Sequence, residues 1–183
     1  MIPGGNELPR VHLGVSEVHI ARTPALIDTV LGSCIAAVFW SPRLRIGGMC
    51  HGALPRCPDP PAADCVRNLR YVDFAIHYLA GRFRAFGVST AEVKVRLFGG
   101  ADMLKVIAPR AAASVGRQNC EAAIEALEAA GITPVTTDLG GLQGRVVYFK
   151  TDTGQVFLRR LRAIDAHEDN RALPLLLAGA DLP

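Results

Sequence analysis

The sequence predicts a mixed α/β protein, with mainly antiparallel or mixed sheets layered against two main helices. Three observations carry that expectation. Apolar runs of strand length, such as Cys34–Trp40 (CIAAVFW), are punctuated by glycine and proline. Two stretches, one from Val66 and one after Asn119, instead repeat their apolar residues at helical spacing. Half of the 183 residues are hydrophobic and 20% are charged, which suits one domain with a core that needs no disulfide or metal.

In chain order, residues 1–10 read as a loose arm, 11–162 as the folded domain and 163–183 as a tail whose LPLLLAG piece is apolar enough to dock on the body or on a partner. His12 to Ile20 alternates as one strand, which Pro24 ends. Ala25 to Leu31 is a short apolar piece ending at Gly32. Cys34 to Trp40 is nearly continuous in apolar residues, the pattern of a central strand. Ser41-Pro42-Arg43 turns the chain, and Ile46 to Leu54 returns as its antiparallel partner. That hairpin brings Cys34, near the start of one strand, and His51, toward the end of the next, to the same end of the sheet.

Pro55 to Ala63 is too rich in proline for regular structure. Asp64 is the expected cap of a long helix running to about Phe86, with Val66, Leu69, Val72, Ile76, Leu79 and Phe83 inward and Gly87 at its end. Val93 to Phe98 alternates as a strand and stops at Gly99-Gly100. Asn119 is the expected cap of a second helix, with Ala123, Ile124 and Leu127 inward and Gly131 closing it. Ile132 to Thr137, Arg145 to Lys150 and Val156 to Leu161 complete the strands, and Thr151 to Gly154 turns the last hairpin.

Several function classes are disfavoured. A net charge of +3, with arginines scattered apart from Arg159, Arg160 and Arg162, does not fit nucleic acid. No apolar run reaches the length of a membrane span, and the N-terminus lacks the order of a signal peptide. The five cysteines, an odd number, are Cys34, Cys50, Cys57, Cys65 and Cys120, and reduced thiols in a cytoplasmic protein are expected. Cys50, His51, Cys57 and Cys65 are zinc-ligand types without zinc-ligand spacing, and Cys50 and His51, adjacent on a strand, point to opposite faces. No metal is therefore expected. Cys50 and Cys120 are expected in the core, and Cys57 and Cys65 as exposed or half-exposed thiols. Gly99-Gly100 and Gly140-Gly141 fit tight turns rather than phosphate loops.

The pair Cys34 and His51 has two readings. A cysteine beside an imidazole is what nucleophilic acyl chemistry requires, and the approach through Gly32 and Ser33 puts backbone N–H groups where an oxyanion would sit. A buried structural cysteine and a hydrogen-bonded histidine are the plainer alternative. Among the other histidines, His19 and His77 fall within regular elements, and His12 and His167 lie toward the chain ends.

Taken together, VLGSCIAAVFWSPRLRIGGMCHGALP at residues 30–55, RYVDFAI at 70–76, LFGGADM at 97–103, VGRQN at 115–119 and the segment 131–161 resemble the chemoreceptor glutamine deamidase (CheD) family, over roughly residues 11–162. The resemblance implies a cysteine-hydrolase-like α/β sandwich with a Cys-His-Thr set. Cys34 maps onto the nucleophile and His51 onto the base. Thr29 maps onto the third member, with Asp28 as an alternative group to orient His51. No cofactor is implied. The implied substrate is a glutamine on the cytoplasmic helices of a methyl-accepting chemoreceptor, and the implied partner, in organisms that have it, is the phosphatase CheC. The competing classes are a non-catalytic chemotaxis binding module and a cysteine hydrolase acting on another amide.

Overall fold

Two sheets and a pair of helices form three layers in a computed structural model that describes residues 8–58, 66–102 and 114–161. Asp64, Cys65, His167 and the expected tail lie outside the described residues, as do most of the expected arm and part of the proline-rich loop.

One sheet has four strands in the order β1-β3-β8-β9: Arg10–His12, Leu26–Leu31, Arg145–Lys150 and Val156–Arg160. The other has five in the order β2-β5-β4-β6-β7: Val18–Ala21, Ile46–Gly52, Ile35–Ser41, Lys94–Gly99 and Thr136–Leu139. The pairs β1–β3 and β6–β7 are parallel, and the remaining pairs are antiparallel. Helices α1 (Val72–Ala85) and α2 (Val115–Ala129) cover the five-stranded sheet.

The central strand β4 explains why its sequence is apolar throughout. Ala36 and Val38 pack with Ile27, Leu31, Val147 and Phe149 of the opposite sheet. Ile35, Ala37 and Phe39 pack with the helices. Both faces are buried, so no polar alternation is permitted. In β5 the same two-residue period sends Cys50 toward the helices and Met49 toward the other sheet. His51 shares the phase of Met49 and so enters the space between the sheets.

Four expected elements are corrected. The single strand His12–Ile20 is two strands in different sheets, because the chain turns between them at Ser16, whose φ is 66°. Val15, in that turn, is 55% exposed. The first helix does not run unbroken from residue 66. A 3-10 turn covers Val66–Arg70, and Tyr71 is extended. The backbone leaving β5 captures this stretch: Ala53 and Leu54 N–H groups donate to Arg70 O, and Val72 N–H donates to Leu54 O. Of the expected inward residues, Leu69, Val72, Ile76, Leu79 and Phe83 are buried. The second helix is capped by Ser114, whose side chain accepts from Arg117 N–H, and Asn119 lies inside the helix. Finally, β7 starts at Thr136 rather than Ile132. Ile132 N–H instead donates to Leu127 O as part of the helix end, and Pro134 follows.

The glycine pairs sit in positive-φ turns: φ is 118° and 68° at Gly99 and Gly100, and 75° and 77° at Gly140 and Gly141.

Candidate active site

The site is built where the two sheets meet at one end. In the β4–β5 register Ala36 lies opposite His51 and Ile35 opposite Gly52, so Cys34, one residue before β4, shares the sheet end with His51. Thr29 comes from β3 of the other sheet and reaches across the gap.

The hydrogen bonds of Thr29 decide the state of the imidazole. Its hydroxyl donates to Leu13 O at 2.7 Å, which uses its one proton. At 2.9 Å from His51 Nδ1 the same oxygen then has lone pairs to offer, so Nδ1 carries the ring proton and donates to it. Nε2 is left with its lone pair, and it is buried without a hydrogen-bond partner among the described residues. The His51 backbone is clamped as well: its N–H donates to Glu17 O at 3.0 Å and its carbonyl accepts from Ser16 N–H at 2.8 Å.

Burial pushes the His51 pKa below the ordinary histidine value, with a smaller opposing effect from the Leu13 backbone. Burial pushes the Cys34 thiol up, slightly offset by its own backbone N–H. Both shifts favour a thiol and a neutral imidazole over a standing ion pair. This arrangement suits a base that takes the proton as the sulfur attacks.

Asp28 is the neighbour of Thr29 on β3, and alternation sends it to the other face. There it accepts from Arg10 at 2.5 Å and 3.1 Å and lies 2.9 Å from His12 Nδ1. Burial alone would raise its pKa, but the hydrogen bonds and charges of Arg10 and His12 override this and hold it below the usual carboxylate range. Asp28 is thus engaged away from His51, and Thr29 is the residue that touches the imidazole.

The Gly32–Cys34 loop is anchored by its carbonyls. Gly32 O accepts from Ala101 N–H at 2.9 Å, Cys34 O from Gly100 N–H at 2.8 Å and Ser33 O from Asn119 Nδ2 at 2.8 Å. In a trans peptide the N–H points opposite to the C=O. The N–H groups of Ser33 and Cys34 therefore point away from the Ala101 and Asn119 anchors. Gly99 makes this approach possible: a Cβ there would sit 2.0 Å from Cys34 O.

Asn119 is the residue that sequence reasoning misplaced. It is fully buried, and its Nδ2 also donates to Ala53 O at 3.0 Å, just beyond the His51 strand. A usable signal was present. Asn119 lies on the apolar face of its helix, three and four residues before the buried Ala122 and Ala123, where a polar side chain must be hydrogen-bonded.

The remaining thiols divide as their surroundings dictate. Cys50 is buried toward the helices, and burial pushes its pKa up to about 12. Cys57 is half-buried. Cys120, expected in the core, is also half-buried, at its edge beside Gly100. Among the described residues no group of three or more His, Cys, Asp or Glu side chains is placed to hold a metal. No described helix is long and apolar enough to cross a membrane.

A thiol, an imidazole and a hydroxyl hydrogen-bonded to it, on an α/β scaffold, are groups that nucleophilic hydrolysis can use. A family model described as "CheD chemotactic sensory transduction" matches residues 53–160, and the chain belongs to the CheD family. It is 38% identical over 160 residues to the probable chemoreceptor glutamine deamidase CheD of Maridesulfovibrio salexigens, covering 85% of this chain and 94% of that protein. The probable chemoreceptor glutamine deamidase CheD 2 of Geobacter sulfurreducens is 38% identical over 160 residues, covering 87% and 95%. The solved structure of the Bacillus licheniformis hypothetical protein YfiH matches 68% of this chain and 49% of that one, at 11% identity and a TM-score of 0.41, a likeness too slight to carry weight.

Proposed function

We propose that the chain deamidates glutamine side chains of a chemoreceptor, with Cys34 as nucleophile, His51 as base and acid, and Thr29 holding His51. Its relatives carry the name chemoreceptor glutamine deamidase, and the chain is read as an enzyme of that kind. The observation that supports the mechanism best is the Leu13–Thr29–His51 relay, which leaves a buried Nε2 lone pair at the Cys34 end of the sheet.

In the proposed reaction His51 Nε2 takes the Cys34 proton while the sulfur adds to the glutamine carboxamide carbon. The oxyanion is met by the N–H groups of Ser33 and Cys34 in the loop that begins at Gly32. Collapse of the adduct breaks the C–N bond, and the imidazolium returns its proton to the departing ammonia. A water molecule, deprotonated by the same nitrogen, then attacks the thioester. The C–S bond breaks, glutamate is released, and the thiol regains its proton. No cofactor enters. The substrate is a glutamine on the cytoplasmic helices of the receptor, and the phosphatase CheC is the proposed regulatory partner where an organism has it.

Ammonia release from a purified receptor fragment tests this reading. Cys34→Ala should abolish release while leaving the protein folded, since a smaller side chain fits the half-buried position. His51→Ala should lower the rate by about 100- to 10,000-fold, the usual reach of general acid–base catalysis. Turnover retained in Cys34→Ala would remove the nucleophile.

A further inference from the structure

We propose that Asn119 is a positioning residue for this site: its one amide group ties the Cys34 loop to the end of the His51 strand and so sets the approach of thiol to imidazole. The inference rests on the Cys34–His51 reading above. Two bonds carry it. Nδ2 donates to Ser33 O at 2.8 Å, one residue before the thiol, and to Ala53 O at 3.0 Å, two residues after the imidazole. Both partners are carbonyls, which accept and never donate, so the amide must present its NH2 to them. A planar NH2 with both protons engaged fixes the distance between the two backbones it holds.

The helix is shaped to deliver this group. Gly116, one turn earlier on the same face, lies so close to the Gly100-Ala101 backbone that a Cβ would fall 2.6 Å from Ala101 O. Gly100 repeats the device from the other side, where a Cβ would meet Cys120 Sγ at 2.1 Å. Ala122, Ala123 and Ala126 keep the buried face small up to Leu127. The helix thus sits near enough for the short asparagine side chain to reach both segments. Asn119 Oδ1 is buried with no hydrogen-bond partner among the described residues, so the amide is held in place by its NH2 alone.

The test compares wild type with Asn119→Asp, which keeps the shape and loses the NH2, and with Asn119→Ala. Three quantities are measured: kcat and KM for ammonia release from receptor, the rate of Cys34 alkylation by iodoacetamide across pH, and the thermal midpoint. Both variants should remain folded at the assay temperature, lose about 100-fold in kcat with KM changed less than about threefold, and show an altered pH profile of Cys34 alkylation. Folded variants with wild-type kcat and an unchanged alkylation profile would overturn the proposal. So would a loss confined to KM, or failure of both variants to fold, which would make Asn119 a core residue and nothing more. If wild type releases no ammonia, the deamidase reading fails by itself, and the alkylation profile still decides whether Asn119 governs the thiol.

Discussion

In the proposed mechanism His51 needs its lone pair on Nε2, and Thr29 leaves it there by accepting a hydrogen bond from Nδ1–H on the other side of the ring. Thr29→Val keeps the shape and removes both bonds. It should lower kcat by about 100-fold through lost orientation and destabilise the protein by about 1–3 kcal/mol, because the buried Nδ1–H and Leu13 O lose their partner. Thr29→Ser should retain most of both, as measured by ammonia release and urea unfolding. The pH dependence follows from burial. His51 must be neutral to act as base, and its pKa lies below the ordinary 6.5, so the acid limb of kcat/KM should lie below that value. Stability carries the same sign. The unfolded chain binds the proton first as pH falls, so the His51 contribution is intact above 6.5 and is lost progressively from there down toward the depressed folded value. The shared sheet end of Cys34 and His51 was legible because hairpin register follows from two apolar runs and a turn. Asn119 was not, because a polar residue near a helix start reads locally as a cap, and only the packing of α2 on the sheet shows that it points inward.

At the scale of elements, the Cys34 loop depends on the turn that ends β6. Gly99 adopts φ 118°, and a Cβ there would strike Cys34 O, which is backbone and cannot swing aside. Gly99→Ala should add about 1–3 kcal/mol of backbone strain before any clash is counted. It should also displace the nucleophile loop, read as lost ammonia release and altered Cys34 alkylation in protein that still unfolds cooperatively. The strands β4, β6 and β8 were legible because two buried faces or an alternation leave little choice of structure. The start of α1 was not. Its apolar period continues through Leu69 and Val72, but the chain leaving His51 bridges through Leu54 to Tyr71 and forces an extended residue into the pattern. A tertiary contact overrode local periodicity there, as it did at Ser16, where one alternating run is shared between two sheets.

The molecule as a whole places the candidate site at a seam, with Thr29 on one sheet and His51 on the other, so sheet-to-sheet packing holds the Thr29–His51 contact. Arg145 ties the same seam a second time. It stands on β8 opposite Leu31, fully buried, and reaches across to β7, where it donates to the Asp138 carboxylate and carbonyl, and to Gly140 O. Arg145→Met should cost about 3 kcal/mol in urea unfolding, since several acceptors lose their donor at once. That linkage was not legible, because β7 and β8 belong to different sheets and nothing in their sequences announces it. The layered α/β class was legible, because amphipathic helices and strands buried on both faces have few ways to stack. The central claim is that Cys34 performs the deamidation, and mass spectrometry of a coexpressed chemoreceptor tests it most directly. With wild-type protein, particular receptor glutamines should gain the mass of conversion to glutamate, and with Cys34→Ala they should remain glutamine. The same conversion in both, or in neither, would contradict the account.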